Sequence, residues 1–262
     1  MKVAKLQVVS NQQVSHRYWH MIVDASGLQE DVEPGQFFNI RCADESYPLL
    51  RRPFSIYKIN PRQQTIEFLY LVKGIGTQRL SQFKSGDTVD VFGPLGVGFT
   101  LKENGGKILM LARGVGVATL AALAQKASER QMGSIAVISA RTKDDLLAAE
   151  SLQSCGTEVY TVTEEDGNSD VPHVRQLLEQ IFREHDIQAA YTCGSQRLSM
   201  LMQEMTKERG IFAEVALEEN MGCAMGVCYA CVCDIHESDG SIHTVRICRE
   251  GPVFSLGKVV LT

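Results

Sequence analysis

Four cysteines near the C-terminus constrain this chain more than any other feature. Cys223, Cys228 and Cys231 share one short stretch and Cys248 follows alone, giving the pattern C-x4-C-x2-C…C. This is the plant-type spacing for a [2Fe–2S] cluster. Four thiolates must converge on two irons, two at each, and a tight loop can supply three of them. Gly222, Ala224, Gly226 and Ala230 are small enough for that loop to wrap closely and turn its N–H groups towards the sulfurs. A structural zinc site also takes four thiolates but prefers two C-x2-C-like pairs, and it stands as the alternative. A disulfide framework suits a small secreted domain, not a chain of 262 residues without a signal-peptide pattern. Cys233 falls two places beyond the third ligand, and its parity on a following strand makes it a buried bystander. Cys42, Cys155 and Cys193 lack metal-like spacing and read as core thiols.

The length leaves room for two compact domains and a small appended module. A net charge of −5 with no basic run excludes nucleic acid as an expected partner. No apolar stretch approaches a membrane span, so no membrane association is expected. Eight cysteines without a disulfide framework point to a reducing compartment, and a cytoplasmic location is expected.

Residues 1–100 read as an antiparallel β-barrel domain. β-rich runs recur at Val3–Val9, Arg17–Asp24, Gln36–Cys42, Pro53–Ile59, Thr65–Val72 and Thr88–Phe92, broken by turns such as Glu33-Pro34-Gly35. One short helix is expected near Gln78–Phe83. Two stretches here suit a ligand. Arg51-Arg52-Pro53-Phe54-Ser55 offers a guanidinium fork, a ring and a hydroxyl, and Gly74-Ile75-Gly76-Thr77 opens the short helix. Singly, each has a plain reading as a solvated face or an ordinary turn. Together in one barrel, they suit a phosphate-bearing ligand equally well.

Over residues 101–216 the period changes to an α/β alternation. Strands are expected at Lys107–Ala112, Ser134–Ser139, Glu158–Val162, Ala189–Cys193 and Phe212–Leu217. Helices are expected at Val117–Arg130, Asp144–Gln153, Val174–Arg183 and Gln196–Arg209. This predicts a parallel sheet with a nucleotide crevice at its C-terminal strand ends, bordered by Arg113–Gly116, Thr163–Gly167 and Cys193-Gly194-Ser195. Gly114 and Gly116 are the candidate nucleotide-binding glycines, although their turn is not G-x-G-x-x-G. Residues 217–262 form the small C-terminal [2Fe–2S] module, so the fold class is α+β multidomain.

These residues resemble a family along their whole length. Leu50-Arg51-Arg52-Pro53-Phe54-Ser55-Ile56, Gly93-Pro94-Leu95-Gly96-Val97-Gly98-Phe99, Met221 to Cys231 and Val245 to Phe254 are similar to the electron-transfer subunits of type B dihydroorotate dehydrogenases. The wider barrel-plus-α/β arrangement is that of ferredoxin reductase-like flavoproteins. The resemblance implies that Arg52, Pro53, Phe54, Ser55, Gly76 and Thr77 hold FAD, with Leu69, Tyr70 and Leu71 along the neighbouring strand. Cys223, Cys228, Cys231 and Cys248 would ligate the cluster. It further implies a partner, an FMN-containing catalytic dehydrogenase subunit, in a heterotetramer of two plus two. Electrons from dihydroorotate would pass through the cluster and FAD to NAD, in pyrimidine biosynthesis. A sister reductase serving another oxidoreductase would share these cofactors, and a zinc-stapled binding protein would share only the fold.

Two positions depart from the family pattern. Leu71 stands where an arginine is usual, with Lys73 as a possible substitute. The family's G-G-G-x-G-V-P-P turn reads here as Ala112-Arg113-Gly114-Val115-Gly116-Val117-Ala118-Thr119. Arg113 would either clamp a phosphate or narrow the crevice.

Overall fold

The computed structural model describes residues 2–43, 47–102 and 105–261. The N-terminal part contains β1 (Lys2–Gln13), β2 (Tyr18–Asp24), β3 (Phe37–Ile40), β4 (Arg52–Ser55), β5 (Lys58–Asn60), β6 (Thr65–Leu71) and, after helix α1 (Ile75–Leu80), β7 (Thr88–Leu95). They form one antiparallel sheet in the order β4-β3-β7-β1-β2-β6-β5. The single run expected over Pro53–Ile59 is therefore two strands. Ile56 donates its N–H to the Gln36 carbonyl, and Tyr57 donates to that of Glu67, so the chain changes partners between them. β4 and β5 occupy opposite edges of the sheet yet are separated by two residues, each spanning at most about 3.6 Å. The sheet must curl to bring its edges together, and the result is a half-barrel around Phe38, Ile40, Phe68 and Val91. Helix α1 begins three residues before the expected Gln78. Its start is set by Thr77, whose hydroxyl accepts the N–H of Lys73 (2.9 Å) and of Gly74 (3.2 Å).

The second part alternates β8 (Lys107–Arg113), α2 (Val117–Glu129), β9 (Ser134–Ala140), α3 (Ala149–Ser154), β10 (Glu158–Thr163), α4 (Val171–Glu184), β11 (Ile187–Cys193), α5 (Gln196–Arg209) and β12 (Phe212–Ala216). The helix expected over Asp144–Gln153 is shorter, a 3-10 turn at Lys143–Asp145 followed by α3. Helix starts follow local chemistry. Asp170 accepts the N–H of His173 ahead of α4, and Ser195 accepts that of Leu198 ahead of α5. β8 to β12 are parallel in the order β10-β9-β8-β11-β12, and every residue of β9 is buried, as helices on both faces require. The strand order reverses between β8 and β11, the place where open α/β sheets bind ligands.

The C-terminal part contributes a hairpin, β13 (Val232–His236) with β14 (Ile242–Arg246), and β15 (Val253–Ser255). β15 runs antiparallel to β12 and becomes the sixth strand of the α/β sheet. Three residues are too few for a periodic signal, which is why this strand is not legible in the sequence. Pairing there covers the free edge of β12. Leu256 and Val259 then pack into the core beneath α4 and α5. The module expected over 217–262 is thus sewn into its neighbour. Among the described residues, no helix is long and apolar enough to cross a membrane.

Candidate functional site

The cluster loop connects β12 to β13 and has no regular structure. Ala224 (φ 54°) and Tyr229 (φ 55°) take left-handed backbone conformations that side chains disfavour, with Gly226 (φ 85°) between them. This folding turns the N–H groups of Met225, Val227 and Cys228 onto the Cys223 Sγ at 3.3–3.4 Å. Burial alone would raise the Cys223 thiol; these donors and the Cys228 side chain bring it down to about 6. Cys248 shows the opposite, pushed up to about 12 by burial and by the neighbouring Cys231 side chain. Arg246 holds the loop from outside. It donates from Nη1 to the Gly226 carbonyl (2.9 Å), lies 5.0 Å from the Tyr229 ring centroid, and pairs with Glu250. Sequence reasoning did not single out Arg246: its pair with Glu250 is local, but the loop it holds, at Gly226, is 20 positions away.

The four candidate ligands are neighbours: Cys228 acts on Cys223, and both Cys231 and Cys223 act on Cys248. Among the described residues, no three acidic, histidine or cysteine side chains converge as they would around one ion. A Cβ at Gly222 would lie 3.2 Å from the Cys228 sulfur, so the loop is drawn close there. Cys233, on β13, is partly buried beside this cluster of side chains, and burial pushes its thiol up to about 11.

A cavity of about 720 Å³ lies between the three parts of the molecule. Arg52, Pro53, Phe54, Ser55, Leu69, Tyr70, Leu71, Gly76 and Thr77 all border it. Their roles are unequal. Among the described residues the Arg52 guanidinium donates to the carbonyls of Leu50 and Arg51, and it lies across Gly76, where a Cβ would sit 3.1 Å from Nε. Its neighbour Arg51 is instead bound to Asp90, at 2.7 Å from the carboxylate and 2.9 Å from the carbonyl. The rings of Phe54 and Tyr70 border the cavity and also pack against each other. They are buried edge-to-face in the barrel, and the Tyr70 hydroxyl donates to Asn11 Oδ1 at 2.9 Å. The Thr77 hydroxyl is occupied by the α1 cap. Lys73 stands on the wall near Leu71.

Three further segments border the cavity. Val115 lies in the turn that the sequence placed at the nucleotide crevice and Ala118 at the start of α2, whereas Leu217 to Met221, from the strand-to-cluster linker, and Pro252, just before β15, were not marked as ligand-binding by the sequence. Met221 is two residues from Cys223, so cavity and cluster loop are contiguous. Glu218 also faces Cys193, the last residue of β11, with Sγ to Oε1 at 3.8 Å; burial raises the pKa of both groups.

Gly114 (φ 55°) and Gly116 do not border the cavity, although Val115 between them does. A Cβ at Gly116 would lie 2.7 Å from Gly194 Cα, and one at Gly194 would lie 2.2 Å from the Arg113 carbonyl. Gly116 therefore lets two strand ends touch. The Arg113 guanidinium donates to Ser139 Oγ (2.6 Å) and pairs with Glu164.

Comparison with known proteins gives a consistent result. The profile of the iron-sulfur cluster binding domain of dihydroorotate dehydrogenase B matches residues 218–260. The chain is 32% identical to the electron transfer subunit of dihydroorotate dehydrogenase B (NAD(+)) from Bacillus cereus strain B4264, over 100% of both chains. It is 33% identical to that of Bacillus caldolyticus, over 98% of each. Among solved structures, an NADH-dependent reduced ferredoxin-NADP oxidoreductase superposes with a TM-score of 0.81 at 24% identity, over 98% of this chain and 90% of that one. Ferredoxin-NADP+ reductase from Plasmodium falciparum superposes with a TM-score of 0.65 at 14% identity, over 81% and 96%. The fold is thus ferredoxin-NADP reductase-like, an antiparallel half-barrel and an α/β sheet, with an iron–sulfur domain at the C-terminus.

Proposed function

The chain belongs to the family of dihydroorotate dehydrogenase B electron transfer subunits, and from that premise we propose that it relays electrons between an FMN-containing dihydroorotate-oxidising subunit and NAD. The observation that carries the reading is the single cavity walled by barrel, nucleotide turn and cluster linker together. A flavin bound there exchanges a hydride with a nicotinamide and single electrons with a cluster.

The chain's own residues supply position and charge. Arg52, the unpaired member of its arginine pair among the described residues, is suited to a pyrophosphate oxygen. Leu69 and Leu71 present aliphatic surface, and Lys73 adds a second cation to the same wall. Cys223, Cys228, Cys231 and Cys248 would hold the two irons. The Cys223 sulfur, which has three N–H donors, is prepared to carry negative charge. Met221 and Glu218 occupy the short path between cavity and cluster.

Anaerobic purification from native cells tests the reading. We expect about two irons and two acid-labile sulfides per chain, with FAD and a co-purifying FMN subunit that oxidises dihydroorotate. Zinc without sulfide would replace the relay by a structural site. A partner acting on another substrate would move the chain to the sister-reductase reading.

A further inference from the structure

In the α/β sheet, α2 and α3 pack on the face towards the barrel, and α4 and α5 pack on the other. On that second face a cavity of about 710 Å³ lies between α4, α5, the end of β13 and the C-terminal segment after β15. It shares no residue with the cavity beside the barrel. Its size falls within the range of small-molecule sites. The walls are fixed by hydrogen bonds. Gln203 Nε2, on α5, donates to the carbonyls of Leu256 and Val259. From the other side, the His236 N–H donates to the Lys258 carbonyl at 2.7 Å, and the Val260 N–H to that of Asp234 at 2.9 Å. The C-terminal segment is thus clamped between α5 and β13 before any ligand arrives, which lowers the cost of binding one.

The lining divides by chemistry. Leu201 and Val259, each 2% exposed, give an apolar floor, and Met200 beside them is left 44% exposed. Three cations border the cavity, Arg175, Arg197 and Lys207, against one carboxylate, Glu204. That carboxylate is already matched: Arg175 donates to it at 2.6 Å from α4 and holds it below the usual carboxyl range. Among the described residues, the side chains of Arg197 and Lys207 make no hydrogen bond or ion pair. Arg197 acts on Asp170, but His173 already bonds that carboxylate at 2.7 Å. A surplus of two positive charges therefore borders this cavity in a chain of net charge −5. Arg197 and Lys207 stand about 15 Å apart along α5, on either side of Leu201. We propose that the cavity binds a small amphipathic anion, its apolar body on Leu201, Met200 and Val259 and its charged group on Arg197 or Lys207. Both halves are needed, because an exposed cation holds a bare anion only weakly in water. The site is independent of the electron relay proposed above.

Isothermal titration calorimetry of the full chain with its own cofactors tests the site, with anilinonaphthalene sulfonate as the probe. We expect saturable binding at about one site per chain, undisturbed by excess FAD or NAD+. Inorganic phosphate, which has the charge without the apolar body, should bind at least about tenfold more weakly than the probe. Arg197→Gln combined with Lys207→Gln should weaken the probe by about tenfold or more. Met200→Asp should also weaken it, by placing a carboxylate on the apolar wall. All three side chains are on the exposed side of α5, and urea unfolding checks that each variant keeps the parent's stability. Probe binding that survives both variants, or that yields to FAD or NAD+, would overturn the proposal. So would phosphate binding as tightly as the probe, or the absence of saturable binding.

Discussion

Arg51 and Arg52 are adjacent in sequence and opposite in use. Arg51 is fastened to Asp90 across the barrel, whereas Arg52, among the described residues, reaches backbone carbonyls beside the cavity. Arg52→Ala should weaken FAD by about ten- to a hundredfold, the equivalent of roughly 1.5–3 kcal/mol for a charge-assisted contact. Arg51→Ala should instead lower stability by roughly 1–3 kcal/mol, since it strands the half-buried Asp90 carboxylate, and should leave FAD affinity near the parent's. Equilibrium dialysis and urea unfolding distinguish the two, and an inverted result would exchange the roles. The same contrast applies to the thiols. Cys248→Ser should bleach the cluster's visible absorbance and Cys233→Ser should keep it, because Cys248 neighbours Cys231 and Cys223 while Cys233 lies on β13.

β15 has three residues, yet it joins the cluster segment to the α/β sheet. Immediately after it, Leu256 is fully buried among the side chains beneath α4 and α5, and its N–H bonds to the Ala213 carbonyl. Leu256→Ala should therefore cost roughly 2–5 kcal/mol by leaving a cavity. It should also speed cluster loss during aerobic storage, although no ligand is touched. Unfolding by urea and decay of the cluster absorbance measure these two effects. A variant that loses stability while its cluster decays at the parent's rate would show that β15 does not support the loop. Gly116 acts at the same scale: it lets the ends of β8 and β11 meet, and any larger residue would push them apart.

Across the whole molecule, the cavity is the shared boundary of three segments remote in sequence. This arrangement separates the two halves of the proposed relay. Cys248→Ser should leave flavin bleaching by NADH within about twofold of the parent, because the barrel and nucleotide turn are intact. Reduction by the dihydroorotate-oxidising subunit should fall by at least about a hundredfold, because the path from that side runs through the cluster. Equal loss of both would mean that the cluster also holds the barrel and sheet together.

The sequence by itself determined the order of the three parts, the change from β-only to βα alternation, and the cysteine set suited to two irons. Each of these is written in spacing over a few residues, where loop wrapping, strand alternation and helix capping act. Only the tertiary structure decided that Pro53–Ile59 divides between opposite sheet edges. The same holds for β15 completing the α/β sheet. Arg113 makes the point most directly. The sequence offered a clamp or a plug, but its partners Ser139 and Glu164 stand 26 and 51 positions away. A guanidinium's role follows from the carboxylate that neutralises it, and that carboxylate arrives only when β10 is laid beside β9.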